Sequence, residues 1–405
     1  MPGATTTRGS AFVRAVDRGT RGPALLVFLG LLVVTGVLAV RDQSAISQLS
    51  PGGWALSWGL LVLYALPVGL VLYALDLYER EPPRYLVAAF VWGAVIATQL
   101  SGIANAGWGL VVARAGGPEF AADWTAALTA PFVEEAIKGA GVVLVFLIAR
   151  EQIDDVLDGF VYGAVCGLGF AIVEDVFYFV GVFGGTTEGV LQGFFVRVIS
   201  SGLYGHVLYT GLVGMGIGYF VSHRRDAPLG RRVAVLAGLT AVGILGHVAW
   251  NSPWLDLLPA EPSGAGWLLV PIATAVKGVP LLAFVVVAVV LALGRERRWL
   301  REALGPEVGG PALSAAELAT IEDPRRRRRT RRRMRARAGD RAAAILHRLH
   351  REQLHLAVVR TRSGIVHSGE AEGSTEPPEV AAQRDVCRSL RDALAAVPGA
   401  APGGG

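Results

Sequence analysis

Long apolar runs, separated by short charged or glycine-rich segments, occupy the chain from about residue 23 to residue 294. The runs reach the roughly 20 residues that a helix needs to cross a bilayer. The pattern predicts an all-α, polytopic transmembrane helical bundle of about eight spans. These spans are expected at about 23–40, 56–75, 85–113, 125–149, 156–180, 190–221, 233–250 and 267–294. Pro67 should kink the second span, and the third is long enough to tilt or to break near Gly102.

The same pattern divides the chain into three regions. Residues 1–22 form a basic N-terminal arm, residues 23–294 form the transmembrane domain, and residues 295–405 form a basic C-terminal tail. Ser314 and Glu317 have the spacing of a capping box at the start of a short helix in the tail.

Two further tail helices are predicted, over about 340–360 and 380–396. The rest of the tail is rich in Gly, Pro, Ser and Glu, so we expect a largely disordered tail that carries short helices.

Composition supports the membrane prediction. Of the 405 residues, 52% are hydrophobic and only 18% are charged, and the mean hydropathy is +0.47. The 52 glycines suit close approach of helices in lipid. Two cysteines, Cys166 in a predicted span and Cys387 in the tail, indicate neither a disulfide framework nor a structural zinc site.

The distribution of arginine predicts the topology. If the N-terminus is cytoplasmic, the outer connections carry only Arg41 and Arg114. The inner connections then carry Arg80, Arg84, Arg150, Arg224, Arg225, Arg231 and Arg232. This asymmetry, together with eight spans, predicts a multi-pass protein of the cell membrane with both termini in the cytoplasm.

A dense arginine run in the tail accounts for most of the net charge of +5. It comprises Arg325 to Arg329, Arg331 to Arg333, Arg335 and Arg337. Because the tail follows a membrane domain on its cytoplasmic side, we interpret the run as a contact for anionic lipid and a topology anchor. Nucleic-acid binding is the less favoured interpretation, and no nucleic-acid partner is expected.

Two adjacent carboxylates and an ammonium interrupt the fourth span, in the sequence Glu134-Glu135-Ala136-Ile137-Lys138. An ionised group near the bilayer centre costs at least about 2.5–3.5 kcal/mol, so three in five residues require an explanation. Glu134 and Lys138 are four residues apart and share a helix face. Glu135 points about 100° away and needs another partner. This spacing predicts that Lys138 pairs with Glu134 and leaves Glu135 for water.

The later spans also contain polar residues, namely Glu174, Asp175, Arg197, His206, His247, Asn251 and Lys277. One explanation is structural, with Arg197 paired to Asp175 and with Lys277 or Arg197 extending to the interface. The alternative is that Glu134, Glu135, Glu174, His206 and His247 converge in the outer half of the bilayer.

Such a set suits amide hydrolysis in two ways. Two imidazoles and one carboxylate can hold a tetrahedral zinc ion with one open position, while a second carboxylate acts as general base. Without metal, a glutamate can activate water while a histidine and an asparagine stabilise the oxyanion.

The motifs resemble those of the PrsW family of intramembrane proteases over about residues 55–290. Glu134 to Lys138, in the fourth predicted span, is similar to the Glu-Glu-x-x-Lys motif of that family. Phe170 to Glu174 is similar to its Phe-x-x-x-Glu motif. Three further segments also resemble family sequences: Gly205 to Tyr209, His247 to Asn251, and the lead-in Asp158 to Gly163. A charged turn, Asp76 to Pro82, is a weaker likeness.

The PrsW family is grouped with the prenyl-protein (CAAX) endopeptidases and the bacteriocin-immunity proteins. The resemblance implies site-specific cleavage of a membrane-anchored regulatory protein. It also implies that Glu134 or Glu135 activates water, with Lys138 and Asn251 in the catalytic set and Glu174, His206 and His247 as ligands of Zn²⁺ or as polarising groups. A proton- or ion-coupled transporter and a catalytically silent membrane scaffold are the alternatives from other classes.

Overall fold

The computed structural model describes residues 7–75, 81–149, 155–201, 204–224, 227–253, 266–363 and 376–400. These residues are helical almost throughout and form no β-strand, so the prediction of an all-α polytopic protein is confirmed. The chain divides into two compact units, a larger one that ends at Val289 and a smaller one that begins at Val290.

Nine α-helices and three π-helical turns account for the described part of the larger unit. The α-helices are α1 (Thr7–Leu49), α2 (Pro51–Leu75), α3 (Pro83–Val91), α4 (Thr98–Ile148), α5 (Val156–Phe177), α6 (Thr187–Phe194), α7 (His206–Ser222), α8 (Leu229–Asn251) and α9 (Gly266–Leu304), the last of which continues into the smaller unit. The π-helical turns are Trp92–Ala97, Tyr178–Val182 and Phe195–Ile199. Because α1 begins at Thr7, the described part of the predicted basic arm is helical.

Six helical stretches in the described residues are long and apolar enough to cross a membrane. The apolar helix α7 is shorter, with 17 residues. One of the six, Pro83–Ile148, covers both the third and the fourth predicted span. Within it Gly117 has a φ of 85°, outside the helical region, and Pro118 follows. A glycine tolerates this positive φ, so the residue marks a break between the two spans. The count of eight spans stays a prediction.

The sixth predicted span, 190–221, is wrong as a single continuous helix. It is divided into α6, the π-helical turn Phe195–Ile199 and α7, and α7 begins only at His206. Gly205, at the start of α7, has extended backbone angles. For the third span, the alternatives were a tilt or a break near Gly102. The break is absent, because α4 is helical there and the irregular turn lies earlier, at Trp92–Ala97.

The central helix, α5, is buried along most of its length. Its start is fixed by a capping box, in which the Asp155 backbone N–H donates to Asp158 Oδ2 (2.9 Å). Gly159, Gly163 and Gly167 recur every four residues and face the backbone of α7. A methyl group added at Gly163 would lie 2.2 Å from the carbonyl oxygen of Thr210. Small residues at this spacing therefore let α5 and α7 approach closely.

The smaller unit is more ordered than the sequence suggested. A 3₁₀ turn (Gly305–Glu307) is followed by α10 (Ala315–Ile321), α11 (Pro324–Arg362) and α12 (Pro378–Ala395). Buried residues including Leu300, Leu313, Leu349 and Val380 form a hydrophobic core. The expectation of a largely disordered tail is therefore wrong for the described residues, since apolar positions on these helices bury one another.

Several predicted features of the tail are confirmed. Ser314 and Glu317 form the predicted capping box, with Ser314 N–H donating to Glu317 Oε2 (2.7 Å) and Glu317 N–H donating to Ser314 Oγ (3.2 Å). The predicted helix at 380–396 corresponds to α12, and the one at 340–360 is the second part of α11, which bends at Gly339 (φ 81°). Residues 364–375 of the tail lie outside the described residues.

Some residues of the predicted loops also lie outside the described residues. These are Asp76 to Arg80 of the charged turn, together with Arg150 and Arg225. Glu81, at the end of the turn, is described and buried, and it accepts a hydrogen bond from the Tyr162 hydroxyl at 2.6 Å. This contact ties the start of α3 to α5.

Candidate active site

The glutamate pair on α4 lies at the centre of a buried polar cluster. Glu134, Glu135 and Lys138 are at most 2% exposed although all three are charged residues. His206, the first residue of α7, and His247, near the end of α8, lie beside them. Four of these side chains, Glu134, Glu135, His206 and His247, each offer a ligand atom within 4.8 Å of the others. The predicted convergence of the glutamate pair with both histidines is confirmed.

Lys138 contacts both carboxylates but lies closer to Glu135. Its Nζ is 2.6 Å from Glu135 Oε1 and 3.5 Å from Glu134 Oε2. The predicted pairing of Lys138 with Glu134 is present, but Lys138 also pairs with Glu135, at the shorter distance. Residues three and four positions apart are both neighbours on a helix surface, and here one ammonium bridges the two.

Three side chains contact the carboxylate of Glu135. Thr210 Oγ1 donates to its Oε2 at 2.8 Å, and His247 Nδ1 lies 3.2 Å from its Oε1. Together with Lys138, these contacts satisfy a carboxylate that is buried in an apolar bundle, as a buried charge requires. The expectation that Glu135 faces water is wrong, because its lone pairs are directed to protein groups.

Glu134 has the more open position. Its Oε1 accepts a hydrogen bond from the Asn105 side-chain amide at 3.0 Å. Glu134 also lines a cavity of about 380 Å³, and Glu135 does not. Of the two glutamates, Glu134 is therefore the one that borders the cavity.

His206 connects the glutamate pair to Glu174. Its Nδ1 lies 2.9 Å from Lys138 Nζ and 3.9 Å from Glu134 Oε2, while its Nε2 lies 2.9 Å from Glu174 Oε2. An ammonium can only donate, so Nδ1 accepts from Lys138 and Nε2–H donates to Glu174. A carboxylate in this position orients the imidazole.

Glu174, the predicted third metal ligand, is shared with a cation. Arg197 Nη2 lies 2.7 Å from Glu174 Oε2, and Arg197 Nε lies 2.5 Å from Asp175 Oδ1. The predicted pairing of Arg197 with Asp175 is therefore confirmed. The Arg197 guanidinium also lies over the ring of Tyr178, with its Cζ 3.7 Å from the ring centroid. Glu174 contacts the cluster through His206 and also lines the cavity.

Asn251 and Lys277 contact backbone carbonyls. The Asn251 side-chain amide donates to the carbonyl of Ala126 at 3.2 Å, which connects the end of α8 to α4. Lys277 Nζ donates to the carbonyls of Trp250 and Ser252, at 3.1 Å each. These contacts do not involve the glutamate pair.

Sequence reasoning missed three residues that support the site. Asn105 contacts Glu134, Thr210 contacts Glu135, and Tyr209 stacks on His247 with ring centroids 4.8 Å apart. Thr210 could have been found, because it lies four residues after His206 and hence on the same helix face. Asn105 is an isolated amide in an apolar stretch, which was a weaker signal.

Carboxylates and imidazoles gathered inside an apolar helical bundle are the groups that a membrane-embedded hydrolase requires. Comparison with known proteins gives the class a name. Residues 81–293 match the sequence profile described as "PrsW family intramembrane metalloprotease". The chain thus belongs to the PrsW family of intramembrane proteases, and it is a multi-pass membrane protein.

Two relatives agree with this assignment. The chain is 27% identical over 179 residues to Protease PrsW of Bacillus subtilis (strain 168). The aligned region covers 44% of this chain and 73% of the relative. The chain is 32% identical over 108 residues to Protease PrsW of Geobacillus kaustophilus (strain HTA426), which covers 26% of this chain and 44% of that relative. No solved structure matches the chain with significance. These matches favour the protease over the transporter and the silent scaffold.

Proposed function

We propose that this protease cleaves a membrane-anchored regulatory protein at a specific site, with Glu134 as the general base. The observation that supports this role is that Glu134 belongs both to the buried glutamate–histidine cluster and to the wall of the cavity. A base must reach the proton that it removes. Glu135, which contacts Lys138, Thr210 and His247, is not the base in this proposal. It orients these groups and would be a ligand when a metal ion is bound.

In the proposed reaction Glu134 takes a proton from water as the water oxygen bonds to the carbonyl carbon of the scissile amide. The proton passes to the amide nitrogen, the C–N bond breaks, and the products are a carboxylic acid and an amine. Lys138 and the imidazoles stabilise the negative charge that develops on the carbonyl oxygen. Asn105 orients Glu134 by donating to Glu134 Oε1. Asn251 contributes indirectly, because its bond to Ala126 connects α8 to α4.

The donor types in the cluster fit a divalent metal ion, for which we propose Zn²⁺. Glu135, His206 and His247 would hold the ion, because one carboxylate and two imidazoles are a common catalytic zinc set. The bound ion would supply a Lewis acid that polarises the carbonyl and activates water. The Lys138 ammonium would have to move away from both ligands, since its Nζ lies 2.9 Å from His206 Nδ1 and 2.6 Å from Glu135 Oε1. Glu174 would orient His206 rather than bind the metal.

The general-base proposal is tested with the substitution Glu134→Gln, which keeps the size of the side chain. Glu119→Gln is the matched control, because Glu119 is an exposed glutamate on the same helix. Both variants are purified and reconstituted into vesicles with a single-span reporter that the wild type cleaves. We expect Glu134→Gln to lose about 10²–10⁴-fold in cleavage rate and Glu119→Gln to retain the wild-type rate. Wild-type cleavage by Glu134→Gln would refute the assignment.

We also propose that the protein resides in the cell membrane with both termini in the cytoplasm. The asymmetric arginines of the connecting segments support this orientation. Among the described ones, four fall in predicted inner connections (Arg84, Arg224, Arg231 and Arg232) and two in outer ones (Arg41 and Arg114).

The tail provides a further proposed contact, with anionic lipid. Nine arginines on the first half of α11 are exposed, namely Arg325, Arg326, Arg328, Arg329, Arg331, Arg332, Arg333, Arg335 and Arg337. Each arginine near an anionic bilayer surface contributes about 1 kcal/mol of attraction. We therefore infer that this helix binds the headgroups of acidic phospholipids.

A further inference from the structure

The cavity beside Glu134 has a polar wall on the first part of α4. Ser101 and Asn105 contribute to this wall, together with Thr98 and Gln99. Glu134 and Glu174 line the same cavity. Polar side chains are costly inside an apolar bundle. A row of them beside the proposed base therefore indicates a binding or catalytic role.

Two oxygens of this wall are buried without a hydrogen-bond partner in the described part of the chain. They are Ser101 Oγ and Asn105 Oδ1. Ser101 is only 1% exposed. Other buried helical hydroxyls bond to a preceding carbonyl, as Ser57 Oγ does to Gly53 at 2.7 Å and Thr129 Oγ1 does to Thr125 at 2.9 Å. Buried polar groups without partners are rare in folded proteins, and a ligand in the adjoining cavity would supply the missing partners here.

The chemistry of the two oxygens restricts what that ligand offers. The Asn105 amide nitrogen donates to Glu134, so the unpartnered atom is the carbonyl oxygen Oδ1. A carbonyl oxygen can only accept a hydrogen bond. Ser101 Oγ can accept one as well. A ligand that presents two donors satisfies both oxygens, and a peptide supplies such donors as its backbone N–H groups.

The spacing of the two side chains matches an extended peptide. Ser101 and Asn105 lie four residues apart on one helix face, which separates them by about 6 Å along the helix axis. Backbone N–H groups two residues apart on one edge of an extended chain are separated by about 6.8 Å. In an α-helical peptide the N–H groups are already paired within the helix, so a helical segment could not satisfy the wall.

We propose that Ser101 and Asn105 bind two backbone N–H groups of an extended, locally unwound stretch of the substrate beside Glu134. The substrate class is thus a membrane protein whose segment at the cleaved bond can leave the helical state. This inference rests on the proposed proteolytic function and extends it to how the substrate is held.

The test uses reporter peptides that the wild-type protein cleaves in vesicles. Each backbone N–H within four residues of the cleaved bond is replaced, one at a time, by an ester oxygen, which removes one donor and leaves the side chains unchanged. We expect the KM to rise about three- to tenfold, as for loss of one hydrogen bond, at two positions that are two residues apart. An ester scan of the wild type without such a pair of positions would overturn the proposal.

The variant Ser101→Ala assigns one of the two positions. It should raise the KM for the unmodified reporter while kcat stays within about twofold, because Ser101 contributes binding and no chemistry. The ester penalty at one position should then disappear, and Ser101→Thr should restore it because the hydroxyl is retained. Ser57→Ala, at a buried serine of α2 whose hydroxyl is already bonded, is the control. A full ester penalty at both positions in Ser101→Ala would overturn the proposal.

These outcomes are separable from failure of the proposed function. If Glu134→Gln cleaves at the wild-type rate, the assignment of the base fails. If Glu134→Gln is inactive and the ester scan shows no paired positions, the base assignment stands and the backbone-binding proposal alone is wrong.

Discussion

Lys138 Nζ lies closer to Glu135 than to Glu134, at 2.6 Å from Glu135 Oε1. Lys138 is fully buried, and the side chain of Glu135 is too. The pair therefore forms a desolvated ion pair that depends on both partners. This pairing leaves Glu134 with a longer contact to the same ammonium, at 3.5 Å, and with access to the cavity. The two adjacent glutamates consequently have different environments.

We predict that Lys138→Met destabilises the protein and abolishes cleavage. The substitution would leave two buried carboxylates without their shared cation, and breaking a buried pair costs about 3–5 kcal/mol. The measurement is thermal unfolding of the purified protein in detergent, together with reporter cleavage. We expect a fall in Tm and a loss of cleavage of at least about 100-fold.

Lys277→Met is the matched control for this prediction. Lys277 is also an intramembrane lysine, but its ammonium donates to the carbonyls of Trp250 and Ser252. Loss of its charge should leave cleavage within a few fold of wild type. An unchanged Tm and rate for Lys138→Met would show that the ammonium has no such role.

The second prediction concerns the metal. Purified protein should bind about one equivalent of Zn²⁺, measured by elemental analysis, and lose it in His206→Ala and in His247→Ala. Glu174→Gln should weaken binding by about 10–100-fold without removing it, because Glu174 would act by orienting His206. His355→Ala is the control, since His355 is an exposed histidine of the tail. Full activity in protein freed of metal by a chelator would instead favour the glutamate mechanism.

Much of the site was predictable from the sequence because ionisable groups in apolar spans need partners. This reasoning brought the glutamate pair together with His206 and His247, and the structure does the same. The partner of each glutamate was not predictable. Helical spacing allows Lys138 to contact residues three or four positions earlier, and side-chain conformation decides between them. The contact of Arg197 with Glu174 spans 23 residues of sequence and depends on how α5 packs.

For the fold, apolar run length predicted the helices but not their irregularities. The sixth span reads as one apolar run, yet it is interrupted before His206, which places that histidine at the N-terminus of α7. Tail order was missed for a different reason. A low-hydropathy composition suggests disorder, but Leu300, Leu313 and Leu349 come from separate segments that form one core only after folding.

The third prediction concerns the contact between α5 and α7. Gly163→Ala places a methyl group 2.2 Å from the carbonyl oxygen of Thr210, so the two helices must separate. Because Thr210 donates to Glu135 and His206 lies one turn earlier on α7, the separation should reduce both Tm and cleavage. Gly59→Ala is the matched control, since a methyl group there meets no atom within 4 Å. Equal Tm values and cleavage rates for the two variants would contradict the role assigned to this contact.

The fourth prediction concerns the arginine run of α11. Trypsin cleaves after arginine, so contact with lipid headgroups should protect the run from digestion. We predict that cleavage within Arg325–Arg337 is slower in nanodiscs that contain phosphatidylglycerol than in discs of phosphatidylcholine alone, and that 0.5 M salt, on the order of a 4 Å Debye length, removes the difference. Cleavage after Arg388, an exposed residue of α12 outside the run, reports digestion that is independent of lipid. The same rate in both kinds of disc would exclude the lipid contact, and protection by added RNA in its place would favour the nucleic-acid interpretation.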